Sequence, residues 1–480
     1  MTTYLYMRRC MTLFLWVVIM GHGFSQKVWV SPDIRVKNDF TFDLLAPWPS
    51  GNTLLFRDKL YTYEIEAYDD QLNFLWSKSI ELEDRKVSII GIVDVDTLFT
   101  IMYSYRKGDQ TIIKAKSYTE NVQLVREKVI FKSKEDIPKT AFRFTTSEDR
   151  KRVLIFYTRY ATLLNLLIYD LDNLERISPI AIEMKSRNWK EQLEGIAISN
   201  SGVVFIVRDV SFTRENRGKL SILLHVIYEY GGVITKQIQP GDYYANDFHF
   251  AYDNINEKLI LAGVFNTKSS DRNVGYWMFG IDKDLEASDF SELWFNKETL
   301  HEVNGKTKNN TKGIKDLFIT ELLLRQDGGV VIVGEVQKEY SRRPDLDPRI
   351  DHSLIGVRRW VDYYFEDMIL MSVHPNGVFH WSSVLHKRQY SQDDEALYSS
   401  FYILKNPALL RIIFNDEIKN SNTISEYIVT SRGLLERNSL FNTANLKLQL
   451  RIQDAIQVGV GTILIPSQSN NLLNIVKMIF

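Results

Sequence analysis

"FITELLLRQDGGVVIVGEV" (Phe318–Val336) and, after an insertion, "FEDMILMSVHPNGVFHWSSVLHK" (Phe365–Lys387) set the pattern for the whole chain. Two apolar segments meet at Asp327-Gly328-Gly329, and two more meet at Asn376-Gly377. Short runs rich in β-branched and aromatic residues, bounded by Gly, Asn and Asp, read as strands joined by tight turns. The stretch is therefore a four-stranded unit in which each strand turns back on the one before it.

The same unit recurs along the 480 residues. One copy is "LEGIAISNSG", "VVFIVRD", "KLSILLHVIYEYGG" and "VITKQIQ" (Leu193–Gln239). Another is "DFHFAYDNIN", "EKLILAGVF", "GYWMFGIDKDLE" and "ASDFSELWF" (Asp247–Phe295). Comparable units fall at residues 42–83, 87–133, 141–184 and 398–441. The last unit holds three strand candidates, "IQDAIQV", "GTILIPSQS" and "NLLNIVKMIF", and "KVWVSPDIRV" (Lys27–Val36) is free to supply the fourth. A four-stranded unit repeated every 40–60 residues, with an incomplete last copy matched by a spare first strand, implies a closed β-propeller. The fold class read here is all-β, a single propeller over residues 27–480 with eight blades (seven is the alternative) and an insertion at 337–364. Two separate β-sandwiches would leave the match between the chain ends unexplained.

Residues 318–387 also resemble the repeat of exported bacterial β-propeller proteins. That repeat has an Asp-Gly-Gly turn, an apolar strand ending in Gly, an acidic-apolar strand, an Asn/Asp-Gly turn and a Trp. Asp327, Gly328, Gly329, Gly334, Asp367, Asn376, Gly377 and Trp381 occupy those positions. The resemblance implies a propeller and export; the family is mostly uncharacterised, so it implies no activity. The insertion "QKEYSRRPDLDPRIDHSLIGVRRWVDYY" departs from the type.

Composition agrees with a folded, exported protein. Hydrophobic residues make up 45% and charged residues 25%, and the formal charge is −1, so no global field recruits nucleic acid. "MRRCMTLFLWVVIMGHGFSQ" (Met7–Gln26) has two arginines, then an apolar run from Met11 to Met20, then small and polar residues. That order is a signal peptide over residues 1–26, since a bilayer span takes roughly 20 apolar residues. The single cysteine, Cys10, lies inside it, so the mature chain has no thiol chemistry and no disulfide. A periplasmic, cell-surface or secreted monomer without a transmembrane segment is expected.

His374, His380 and His386 are spaced six apart and invite a metal reading. On a strand, six residues at about 3.3 Å each separate His380 from His386 by roughly 20 Å, too far to share one ion. If Pro375-Asn376-Gly377 forms a type I turn with a Gly bulge, His374 and His380 face the same side. Two histidines are not a full ligand set, and no metal site is assigned to them.

Carboxylates are the stronger candidates. Acidic residues recur where the chain approaches each first strand: Asp43, Glu194, Asp247, Asp316, Asp393, Asp394, Glu395 and Asp454. First strands of a propeller line the central channel, so Asp247, Asp316, Asp393, Asp394 and Glu395 are the expected ligand-binding residues at its mouth. No cofactor is expected, calcium being the one ion such oxygen ligands could hold there. In the insertion, Arg342, Arg343, Arg358, Arg359 and Trp360 are the expected partner contacts, because arginine and aromatic residues are enriched at interface hot spots. The chain lacks Gly-x-Ser-x-Gly, His-Glu-x-x-His, a phosphate-binding loop and a dinucleotide fingerprint. The resulting expectation is a non-enzymatic binding or scaffold protein whose ligand is a protein or glycan. The alternatives are a glycan hydrolase or lyase using channel-mouth carboxylates, and a structural component of a cell-envelope complex.

Overall fold

The computed structural model describes residues 26–59, 61–83, 87–184, 190, 192–228, 231–266, 271–282, 284–288, 290–305, 312–342, 360–416, 418, 423–443 and 446–480. The expected signal peptide, apart from Gln26, and Arg343, Arg358 and Arg359 lie outside these residues. Among the described residues no helix is long and apolar enough to cross a membrane.

Eight four-stranded antiparallel sheets follow one another along the chain, so the eight-blade reading holds. Blades 1 to 7 span residues 41–80, 88–133, 143–183, 193–238, 244–294, 317–385 and 402–442. Blade 8 takes Ile456–Gly459, Thr462–Ser469 and Leu472–Ile479 from the C-terminus, and Lys27–Val30 from the N-terminus as its outer strand. Lys27 pairs with Ile479 and Val30 with Val476, so the two chain ends close the ring in one sheet.

The packing explains why the middle strands are apolar on both sides. Side chains alternate faces along a strand, and each blade is covered by a neighbour on both faces. In blade 4, Phe205 and Val207 pack against blade 5, whereas Val204 and Ile206 pack against blade 3. In blade 6, Val330 and Ile332 face blade 5, and Val331 and Val333 face blade 7. Among the described residues the buried apolar side chains fall into eight clusters, each spanning one junction between neighbouring blades, including that between blades 8 and 1. The core is a ring of eight interfaces.

Two glycines show how tightly the blades approach. A Cβ on Gly334 would lie 2.2 Å from the Tyr276 hydroxyl of blade 5, which donates across the junction to the Ile369 carbonyl. Gly433 has φ +78°, and a Cβ there would lie 2.6 Å from the Trp381 ring. Trp381 thus packs between blades 6 and 7, and its Nε1–H donates to the Ser431 carbonyl.

Because each blade is a meander, the link into its first strand and the link from its second to its third strand emerge on the same side of the disc, here the upper face. Turns one-to-two and three-to-four lie on the lower face. The insertion leaves the upper face of blade 6. Its described parts are strand rather than loop: Val330–Arg342 and Trp360–Val373 continue as a ribbon, with Gln337 paired to Phe365 and Arg342 to Trp360. Gln389–Gln392 adds a third strand, pairing with Asp362 to Phe365.

Candidate functional site

The upper face holds a cavity of about 650 Å³ along the channel wall of blades 5 to 8. First strands supply His249, Thr320, Tyr402 and Gln457; the links into them supply Glu395, Ser400 and Gln453; the base of the ribbon supplies Gln337 and Phe365.

Behind this wall lies a buried polar network. Lys387 Nζ pairs with Glu335 Oε1 at 2.5 Å, and both side chains are essentially sealed from solvent. Lys387 also donates to Gln389 Oε1 at 2.8 Å. Gln389 Nε2 in turn donates to the carbonyls of Ser400 and Asn415. The other oxygen, Glu335 Oε2, accepts from Ser400 Oγ at 2.8 Å and from Gln337 Nε2 at 2.7 Å. Burial pushes the Lys387 ammonium down from its ordinary range, against the opposing pull of Glu335. Glu335 therefore joins a buried cation to two residues of the cavity wall. One sequence signal could have found it: a lone acid in "VVIVGEV", a strand that is otherwise apolar on both faces. Gln337, Gln389 and Ser400 carry no such signal.

The carboxylates expected at the channel mouth divide into separate groups. Glu194 of blade 4 and Asp247 of blade 5 are neighbours, together with Asp209. Glu194 keeps solvent contact through the channel, yet the surrounding protein pushes its carboxyl up to about 7, with Asp209 and Asp247 adding to the rise. Asp247 is raised chiefly by burial, while its Oδ2 accepts from the Ile319 N–H at 2.6 Å and so ties blade 5 to blade 6. Asp43 is raised by burial and then by Asp454. In an eight-membered ring the junction of blades 8 and 1 lies opposite that of blades 4 and 5, so these two acidic groups face each other across the channel.

Asp316, Asp393 and Asp394 are engaged locally. Asp316 has φ +54°, and its carbonyl accepts from the Gln337 N–H at 2.8 Å. Asp393 Oδ1 accepts from the Val361 N–H at 2.8 Å, pinning the ribbon to the turn. Asp394 Oδ1 accepts from the Ala396 N–H at 3.1 Å within that turn. Glu395 is exposed and lines the cavity. Among the described residues no three His, Cys, Asp or Glu side chains gather closely enough to hold a metal ion.

The histidines lie elsewhere. The His374 carbonyl accepts from the Gly377 N–H at 2.9 Å and Gly377 has φ +80°, the bulged turn that places His374 and His380 on one side. Their rings stand 4.4 Å apart, on the lower face. His386 instead meets Asp367 at 3.3 Å. His380 and Trp381 help line a second cavity of about 660 Å³, between blades 6 and 7 on the lower face. On the ribbon, Trp360 and Tyr340 are exposed, and Tyr364 bridges Tyr340 and Tyr390 in an aromatic row.

No family model matches the chain, and no characterised protein matches it in sequence. Similar solved structures include BamB from Moraxella catarrhalis, at 11% identity and TM-score 0.39, covering 95% of this chain and 100% of that one. The β-propeller domain of the Trilobed protease from Pyrococcus furiosus aligns at 12% identity and TM-score 0.36, covering 83% and 98%. An uncharacterized protein from Listeria monocytogenes aligns at 9% identity and TM-score 0.37, covering 75% and 85%.

Proposed function

We propose that this protein is an exported, non-enzymatic β-propeller that binds a protein or glycan ligand at the mouth of its channel, in the cavity between blades 5 and 8. One observation carries the reading: the cavity wall is built from first-strand side chains and from groups held by the buried Glu335–Lys387 network. A site on strands and fixed by a second layer of hydrogen bonds is preorganised, which lowers the ordering cost of binding. Export rests on the Met7–Gln26 leader and on the repeat resemblance.

The test is a thermal-shift screen of basic, acidic and neutral oligomers against the intact protein and a Thr320→Trp variant that fills the cavity. A stabilising ligand whose effect vanishes in Thr320→Trp supports the site. A ligand that stabilises both proteins equally places binding elsewhere.

A second reading, a docking component of an envelope complex, draws on the ribbon. Tyr340 (53% exposed) and Trp360 (46% exposed) stand on its described strands. Removing residues 338–363 would then abolish co-purification with a partner while leaving the melting temperature of the ring nearly unchanged; a partner that still co-purifies sinks this reading.

A further inference from the structure

The hydrogen-bond polarity of the upper cavity is set by elementary chemistry. A carboxylate or a carbonyl oxygen cannot donate, so any side chain bonded to one must donate to it. Gln337 donates through Nε2 to Glu335 Oε2 at 2.7 Å, and Ser400 gives its hydroxyl proton to the same oxygen at 2.8 Å. Thr320 donates to the Val333 carbonyl at 3.1 Å, and Gln453 donates through Nε2 to the Ser399 carbonyl at 3.1 Å. His249 places Nδ1 against the Phe248 carbonyl at 2.9 Å, which leaves Nε2 an acceptor in the neutral ring. The hydroxyl protons of Ser400 and Thr320 are thus turned into the protein. Against the second amide N–H of Gln337 and of Gln453, the wall keeps a majority of acceptors: two hydroxyl oxygens, two amide oxygens and an imidazole nitrogen.

Charge and shape point the same way. Lys405, the cavity's ammonium, is offset by Glu321 at 2.8 Å, whereas Glu395 adds an exposed carboxylate. Phe365 and Tyr402 supply half-buried rings, which attract cations over their faces, while Phe401 belongs to the core between blades 6 and 7. Gln337 and Phe365 are both cavity lining and the paired base of the ribbon, so the cavity is continuous with the ribbon face that carries Glu339 and Tyr363.

We infer that this cavity takes a cationic, donor-rich group, an ammonium or guanidinium carried on a basic peptide segment. The inference rests on the cavity being the binding site and names its ligand chemistry. Glu335 acts as a positioning residue: paired to Lys387, it holds Gln337 and Ser400 with their acceptors outward.

Isothermal titration calorimetry with three probes tests this: acetylated and amidated tetra-arginine, the matching tetra-glutamate, and chitotetraose. Tetra-arginine binds the intact protein and weakens as salt is raised. Its affinity falls about tenfold in Glu395→Gln, which removes a charged acceptor. It falls about fivefold in Thr320→Val, which removes a hydroxyl at nearly constant shape. Glu257→Gln on the lower face changes nothing, and circular dichroism reports the same fold for all variants. Tetra-arginine held equally by all four proteins overturns the inference, since general surface attraction would then suffice. Chitotetraose or tetra-glutamate bound by the intact protein and lost in Thr320→Val overturns the cationic assignment while leaving the cavity as the site. If no probe binds, both readings fail.

Discussion

Blades 1 and 6 each bury an ion pair near the upper end of the second strand and use it differently. Arg57 pairs with Phe42 on the first strand of blade 1, and Glu335 pairs with Phe318 on the first strand of blade 6, so both lie near the upper end of a second strand, Arg57 on the face toward blade 8 and Glu335 on the face toward blade 7. In blade 1, Arg57 meets Asp39 and Glu66 and donates to the Arg35 carbonyl at 2.6 Å. Tyr68 closes the set by donating to Glu66 at 2.6 Å. Arg57 thus ties Asp39 and the Arg35 carbonyl, both in the segment leading from blade 8 to blade 1, to Glu66 on the third strand, and the cluster secures the closure of the ring. In blade 6 the acid holds one buried cation, and its second oxygen reaches two residues of the cavity wall. A buried polar cluster is thus a latch where the chain folds over it and a foundation where a cavity lies above it.

The largest expected effect breaks the pair in blade 6. Lys387→Met leaves Glu335 buried without its cation and lowers stability by about 3–5 kcal/mol, read as the urea midpoint. The double variant Glu335→Leu/Lys387→Met recovers most of that loss, because an apolar pair of similar volume needs no counterion. It nevertheless loses tetra-arginine binding, since Gln337 and Ser400 are released. Full binding by the double variant would show that the network only supports the fold.

In blade 1, Arg57→Met leaves Asp39 and Glu66 buried and costs about 3 kcal/mol near neutral pH. Tetra-arginine binding stays unchanged; any loss there would end the distinction between latch and foundation.

A smaller effect comes from blade 4, where Arg208 takes the equivalent position, paired with Leu193. Arg208 is buried, donates to Gln192 at 2.6 Å and lies near His225. Burial, then Arg208, push His225 down to about 4, so the ring folds neutral. A folded value below the ordinary 6.5 means the unfolded state binds the extra proton first. The stability from His225 is therefore present above about pH 6.5 and is lost as the pH falls toward 4, on the order of 2–3 kcal/mol. Melting temperatures at pH 7, 5.5 and 4 should show a shallower fall in His225→Gln than in the unaltered protein; identical slopes would assign the acid sensitivity to other groups.

How much of this could be read beforehand depends on the range of each interaction. The Gly-bulged turn that brings His374 beside His380 is settled within a few residues. The division of the acids into two opposed groups was not legible, because Glu194 meets Asp247 only where blade 4 packs on blade 5, and Asp43 meets Asp454 only once the ring closes. The Glu335–Ser400 contact joins residues 65 apart on neighbouring blades.

The sequence by itself determined the four-stranded blade and the match between the chain ends, and left eight blades against seven to the strand pairing. Strand alternation, turn chemistry and the spare first strand are local patterns, and backbone pairing between adjacent segments satisfies them directly. Only the tertiary structure decided which polar residues became a latch, a foundation or a cavity wall. The partner of a buried charge is whatever the next blade brings within hydrogen-bond reach, and no period in the chain encodes that distance.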